Sequence, residues 1–379
     1  MLLNAMPADD LFAQLDQAHT SGGSEAVLQS LAQHCLDTRN YPLLFEVRLM
    51  QSRLRLGLPL IHSGSRDDLP AAAQRPYEEA FLAAARETGQ GFLDSGEIGR
   101  AWPYFRAIGD PAPVAAVIES YEPGEDRKDL DAVIQIALME AVNPVKGFHL
   151  ILQNHGICRA ITSFGQYPVR QGRTECARLL IYTLHAELIE NLKRAIAQQE
   201  EREPETADLA SLLRDRDWLF GEYSYHVDTS HLVSVLQISL DLEDAPSLHK
   251  ALDLALYGQH LASTFQHRGD PPFEDVYTDH TIFLRGLLGI DAEAAVAHFR
   301  AKAQANDPEM HGPGPGQVLV ALLGRLGRHG EAVDASLEFL PSSTATFELC
   351  QASGDFDRLK ELGHQRGDPL AYVAGLIQR

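Results

Sequence analysis

Cysteine, tryptophan and basic charge are all scarce in this chain of 379 residues: four Cys, two Trp, and 32 Lys+Arg against 53 Asp+Glu, for a net charge of −21. Cys35, Cys158, Cys176 and Cys350 are far apart and form no CxxC pair. That spacing excludes a disulfide framework and fits reduced, mostly buried thiols. A strongly negative field repels phosphate backbones and anionic lipid, so neither nucleic acid nor a membrane is an expected partner. The opening MLLNAMPADDLF has no basic stretch ahead of an apolar run, and no run is long enough to span a bilayer. A cytoplasmic location is the expectation. HExxH, GxxxxGK[ST] and GxSxG are absent, so no familiar catalytic motif names a reaction. Alternating runs of β-branched residues are missing as well, which argues against strands.

Hydrophobic residues make up 45 % of the chain, enough to bury a large interior. The length exceeds a usual single core, so two subdomains or one elongated solenoid are expected. Helical periodicity dominates. It predicts helices over about 24–38, 41–56, 76–95, 97–108, 111–120, 128–141, 145–163 and 174–199. Beyond these it predicts helices over about 208–215, 229–242, 245–267, 274–288 and 291–304, with short ones from 317 to 378. His62–Pro76 and HGPGPG at 311–316 read as loops. The acidic EEREPETAD at 200–208 suggests a division into regions 1–200 and 201–379, unless the solenoid is continuous.

The best-formed local pattern is GQGFLDSGEIGRAWPYFRAIGDPAP at 89–113: a helix, a turn at Gly96, a second helix carrying Ala101 and Phe105 on one face, and prolines to stop it. The segment resembles a tetratricopeptide repeat, with Gly89 and Phe92 in the first helix and Pro113 at the end. Ala85 stands where that family places a tryptophan. Weaker copies involve Leu319, Gly327, Glu331 and Ala332, then Ala295, Phe299 and Pro308, then Gly354, Asp355 and Phe356, at irregular spacing. The resemblance covers about a third of the chain. It implies an all-α fold of stacked antiparallel hairpins whose concave face holds a peptide or protein partner, and it carries no catalytic residue.

Residues 140–285 depart from the repeat pattern and hold several of the 16 histidines. DWLFGEYSYHVDTSH at 217–231 is the densest polar-aromatic stretch. Asp228 or Thr229 would cap a helix starting near Ser230. In a continuous helix His226 and His231 would diverge by about 140°, at roughly 100° per residue. A loop-to-helix junction lets both face one point with Asp228 or Glu222, beside Tyr225. Such a set suits zinc, iron, nickel or manganese, and it equally suits a helix cap with local hydrogen bonds. His280 falls in the stripe Val276, Phe283, Leu284 and Leu287, so it should point inward beside Asp279, as a ligand or bonded to a backbone carbonyl. His149 and His155 flank a stripe of Val145, Phe148 and Leu152. Gly156 breaks or kinks that helix, and Arg159 offers a guanidinium for a carboxylate. His185 reads as core. His260 and His267, two turns apart, share a polar, exposed helix face.

Two functions follow from different features. The hairpin and the lack of catalytic motifs predict a helical-repeat protein that binds a protein or peptide in a concave groove. The histidines predict instead a metal-dependent enzyme or metal-binding protein. In that case His149, His226, His231 and His280, with carboxylates, would converge on a divalent transition metal. A homo-oligomer is a third reading, because the apolar face of a terminal helix pair at 355–378 needs a cap or a partner.

Overall fold

The computed structural model describes residues 8–61, 69–125, 127–166 and 171–378. The chain forms two compact units, one of Met1–Asn154 with Gln166–Gly172 and one of His155–Gly165 with Arg173–Arg379. Every regular element among the described residues is helical. The one β-type contact is an isolated bridge between Arg268 and Asp275.

The first unit contains α1 (Ala8–Asp37), α2 (Tyr41–Arg55), α3 (Ala71–Asp94), α4 (Ile98–Ala107), α5 (Ala112–Glu119), α6 (Leu130–Ile134) and the start of α7 (Pro144–Gln166). A π-helical turn, Gln135–Met139, extends α6. Successive helices pack on each other: α1 on α2, α2 on α3, α3 on α4, α4 on α5. Part of the expected His62–Pro76 loop, residues 62–68, lies outside the described residues. From Ala71 onward that stretch is already α3, which carries Pro76 inside it. Its alanine-rich start outweighs one missing hydrogen bond.

The 89–113 hairpin forms as read. Gly96 turns the chain at φ 78°, and Phe92, Ala101 and Phe105 are buried in one core with Leu44, Val47 and Ile118. Gly89 is required by packing: a Cβ there would lie 2.7 Å from the Phe105 ring. The expected proline stop is corrected. α4 ends at Ala107 and the chain turns at Gly109, φ 66°, while Pro111 and Pro113 begin α5. Proline lacks an N–H that the first helical turn would leave unpaired anyway.

The second unit contains the rest of α7, broken at Gly156 (φ 80°, ψ 175°), and α8 (Arg173–Glu200). It continues with α9 (Leu209–Leu213), α10 (Thr229–Ile238), α11 (Ala245–His260), α12 (Val276–Leu287), α13 (Ala292–Ala305) and α14 (Pro308–His311). α15 (Gly314–Arg325), α16 (His329–Phe339), α17 (Ala345–Ser353), α18 (Phe356–Gln365) and α19 (Pro369–Ile377) complete it. α10 and α11 pack on α8. From α11 onward, neighbours in sequence are neighbours in space, except that α13 packs on α15 past the single turn of α14. Glu200–Asp208 lies within this unit, between α8 and α9.

Two expectations fail here for local reasons. HGPGPG is not all loop: Gly314, Pro315 and Gly316 form the first turn of α15, where proline is tolerated. α11 stops at His260 instead of reaching 267, so His260 and His267 share no helix face.

α18 and α19 meet backbone to backbone. A Cβ at Gly375 would lie 2.5 Å from the Lys360 nitrogen and 2.6 Å from the Phe356 carbonyl oxygen. Neither is a flexible side chain that could move aside, so Gly375→Ala must separate the pair. The expected cost is about 1–3 kcal/mol, the usual range for overpacking. Gly330→Ala is the control. Nothing lies within 4 Å of a Cβ at Gly330, inside α16, so that change should be neutral or stabilising by up to about 1 kcal/mol. Thermal unfolding with hydrogen exchange across α18–α19 checks both. Equal behaviour of the two variants would contradict the packing account.

Candidate functional site

The sequence-predicted histidines fall in both units. His149 is half-buried on the first-unit part of α7, while His226, His231 and His280 belong to the second unit. His155 and Arg159, just past the asparagine that ends that part, are exposed, and the break at Gly156 falls where expected.

Asp228 caps α10. Its Oδ1 accepts from Ser230 N at 2.8 Å, His231 N at 3.1 Å and the Ser230 hydroxyl at 2.5 Å. The Ser230 hydroxyl above all holds the carboxyl below its ordinary pKa. His226 precedes the cap and clamps three segments. Its amide donates to Tyr257 Oη at 2.7 Å, its carbonyl accepts from Asn191 Nδ2 at 2.7 Å, and its Nε2–H donates to the Leu219 carbonyl at 3.1 Å. Burial lowers its pKa and keeps the ring neutral. Glu222 and Tyr225 are exposed.

His280 points inward, as its place in the stripe predicts, and is fully buried. Nδ1–H donates to the Val276 carbonyl at 2.6 Å, one helical turn back, and the ring stacks on Phe273 at 4.2 Å. Nε2 is sheltered from solvent with no hydrogen-bond partner. Burial, partly offset by the Val276 carbonyl and Asp279, pushes the pKa down to about 4. Among the described residues, no group of three or more His, Cys, Asp or Glu could hold a metal ion. Within the second unit the rings of His226 and His280 each bond a backbone carbonyl, of Leu219 and Val276 respectively.

Two polar assemblies escaped sequence reading because each joins distant segments. On the α8–α11 seam, His185 donates from Nε2 to Asp253 Oδ2 at 2.9 Å and accepts at Nδ1 from Lys250 Nζ at 3.3 Å. On the α12–α13 seam, Asp279 is only 2 % exposed and has three donors: His298 Nε2 at 2.8 Å, Lys302 Nζ at 2.8 Å and the Asp275 amide at 2.9 Å. Lys302 also pairs with Glu274 at 2.5 Å. Burial opposes its charge, yet these hydrogen bonds raise the lysine pKa overall. His298 and Lys302 sit four apart, a legible helical spacing, but nothing local pairs them with Asp279.

A well-formed concavity lies in neither assembly. It is a groove of about 900 Å³ in the second unit, lined by α15, the end of α16 with its following loop, and α17. Val320, Phe339, Leu340, Pro341 and Leu349 make its lining largely apolar, with Ala321 and Ala352 exposed within it. Gln317, Ser342 and Glu348 add polar groups. His329, in the first turn of α16, also lines the groove; its Nδ1 is sheltered and without a hydrogen-bond partner. A smaller pocket of about 320 Å³ between α2 and α3 is lined by Arg48 and Glu87. That carboxylate already accepts from the guanidinium at 2.7 Å through both oxygens, which leaves little for a ligand.

Sequence signals for the groove were indirect. The weak repeat copy around Leu319, Gly327 and Ala332 marks the α15–α16 hairpin: Gly327 turns it at φ 73°, and both apolar residues are fully buried. No residue type advertised a cavity beside it. Comparison with family models, with curated proteins and with solved structures found no match to this chain.

Proposed function

We propose that this chain is a tetratricopeptide-like helical-repeat protein that binds an apolar peptide segment of a protein partner in the groove on α15 and α17. The observation that carries the reading is the groove itself. It is apolar, open, large enough for several side chains, and built from α15 and α17 with both ends of the intervening α16. Apolar walls with a few placed polar groups are the usual makeup of a ligand site. An extended or helical peptide would bury aliphatic or aromatic side chains against Val320, Phe339 and Leu349. A main-chain polar group of the peptide would supply the partner that His329 Nδ1 lacks, and an unpaired buried polar atom costs about 1–3 kcal/mol. Successive helix pairs, left-handed glycine turns and the 89–113 hairpin support the repeat part of the reading.

The test is selection from a displayed library of random dodecapeptides, followed by affinity measurement with the synthetic winners. Enrichment of sequences with two or more large apolar residues is expected. Ala321 and Ala352 are exposed helical positions, so Ala321→Arg and Ala352→Arg fill the groove without touching the core. Each should weaken those peptides at least tenfold, with an unchanged unfolding midpoint. No enrichment, or wild-type affinity in both variants, would overturn the proposal.

A further inference from the structure

The segment between α9 and α10 presents aromatic rings that the fold does not need. Leu219 and Val227 are buried, Phe220 stacks on His260 at 5.1 Å, and His226 is tied to Leu219, Tyr257 and Asn191. These anchors hold the segment in place. Trp218, Tyr223 and Tyr225 nevertheless remain 44 %, 76 % and 53 % exposed. Of the three, only Tyr225 makes a ring contact among the described residues, edge-on to Phe265 at 5.3 Å. Packing explains Leu219 and Val227; it does not explain a Trp and two Tyr placed around them in water.

The charge around the rings has one sign. From Glu200 to Asp228 the chain carries nine carboxylates against three arginines and no lysine. Two of those arginines are engaged, Arg216 with Glu200 at 2.6 Å and Arg202 with Glu205 at 3.3 Å. Asp217 and Glu222 flank Trp218 and Tyr223 in sequence, are exposed, and make no ion pair among the described residues. Aromatic faces attract cations through their quadrupole, and neighbouring carboxylates add a Coulombic component. The preordered backbone removes part of the ordering cost of binding.

From these observations we infer that Trp218, Tyr223 and Tyr225, with Asp217 and Glu222, form a docking surface for a lysine- and arginine-bearing peptide segment of a partner protein. Rings this exposed, with no ring contact to one another, suit an extended chain; a small cation would need rings that enclose it. The surface is separate from the groove on α15 and α17, and it stands or falls independently of the function proposed there.

The test uses a fluorescein-labelled dodecapeptide alternating Lys or Arg with Gly and Ser, against glutamate and leucine versions of the same length. Anisotropy is read at low salt and at 0.5 M salt, beside Trp218 emission. The basic peptide alone should bind, and salt should weaken it. Trp218→Ala with Tyr223→Ala should weaken it at least tenfold. Asp217→Asn with Glu222→Gln should do so several-fold. Glu309→Gln with Glu361→Gln removes the same charge from α14 and α18 and should change affinity less than twofold. Circular dichroism confirms that each variant is folded. Equal weakening by the control pair, or no effect of the aromatic pair, would reduce the binding to the general negative field and overturn the surface. Absence of binding by the basic peptide would overturn it outright.

Discussion

Asp279→Ala is expected to destabilise the protein by about 3–5 kcal/mol, the range for removing one partner of a buried ion pair. Asp279 lies on α12 at 2 % exposure, and its carboxylate is the one group that joins His298 and Lys302 of α13 to the amide of Asp275. Alanine removes the acceptor for all three donors. Lys302 keeps Glu274, but His298 loses its carboxylate and the Asp275 amide loses its bond. Asp279→Asn keeps the shape and one acceptor oxygen, so its loss should fall between wild type and alanine. Adding Lys302→Met to Asp279→Ala should recover part of the loss, because the lysine left behind is only 20 % exposed. Denaturant unfolding measures all four proteins. A loss below about 1 kcal/mol for alanine, the scale of an exposed surface pair, would show that this network does not secure the α12–α13 packing.

Acidification should destabilise the fold between pH 6.5 and 4 through His280. Burial, the largest influence, holds its folded pKa at about 4, while the unfolded ring titrates near its ordinary 6.5. Above pH 6.5 both states are neutral and the full stability is present. As the pH falls below 6.5 the unfolded state takes up the proton first, so stability declines until the folded ring also titrates near pH 4. Each unit of pKa difference corresponds to about 1.4 kcal/mol, so the span amounts to about 3–4 kcal/mol. His226, lowered by burial as well, adds a contribution of the same sign. Unfolding measured at intervals from pH 7.5 to 4.5 should show this decline. His280→Asn can keep the bond to the Val276 carbonyl but does not titrate, and should flatten it. An identical slope in wild type and variant would remove His280 as the cause.

The helices were legible from local patterns. Ten-residue α4 buries Ala101 and Phe105, the face its sequence displays, and Asp228 caps α10 because an Asx side chain reaches the amides two and three residues on. His280 was placed inward by spacing alone, since its neighbours Val276, Phe283 and Leu284 mark the buried side of α12. Where reading failed, local signals were ambiguous. Proline was read as a terminator at 111–113 and 311–316, yet it also starts helices; its meaning depends on which side of the turn it falls. The extension of α11 to 267 failed because Ser263 and Thr264 enter a short 3₁₀ turn after Leu261 is buried.

The chain's own sequence determined an all-helical fold, a strongly negative net charge, several helix boundaries and the inward faces of α4 and α12, because these depend on composition and on neighbours within a few residues. Tertiary structure alone decided that Asp279 meets His298 and Lys302, and that α15 and α17 leave a groove between them. Those outcomes depend on how separate helices cross and which small residues let them approach. Gly375 against the backbone at Phe356 and Lys360 is one such contact, and no periodicity along a single helix encodes it.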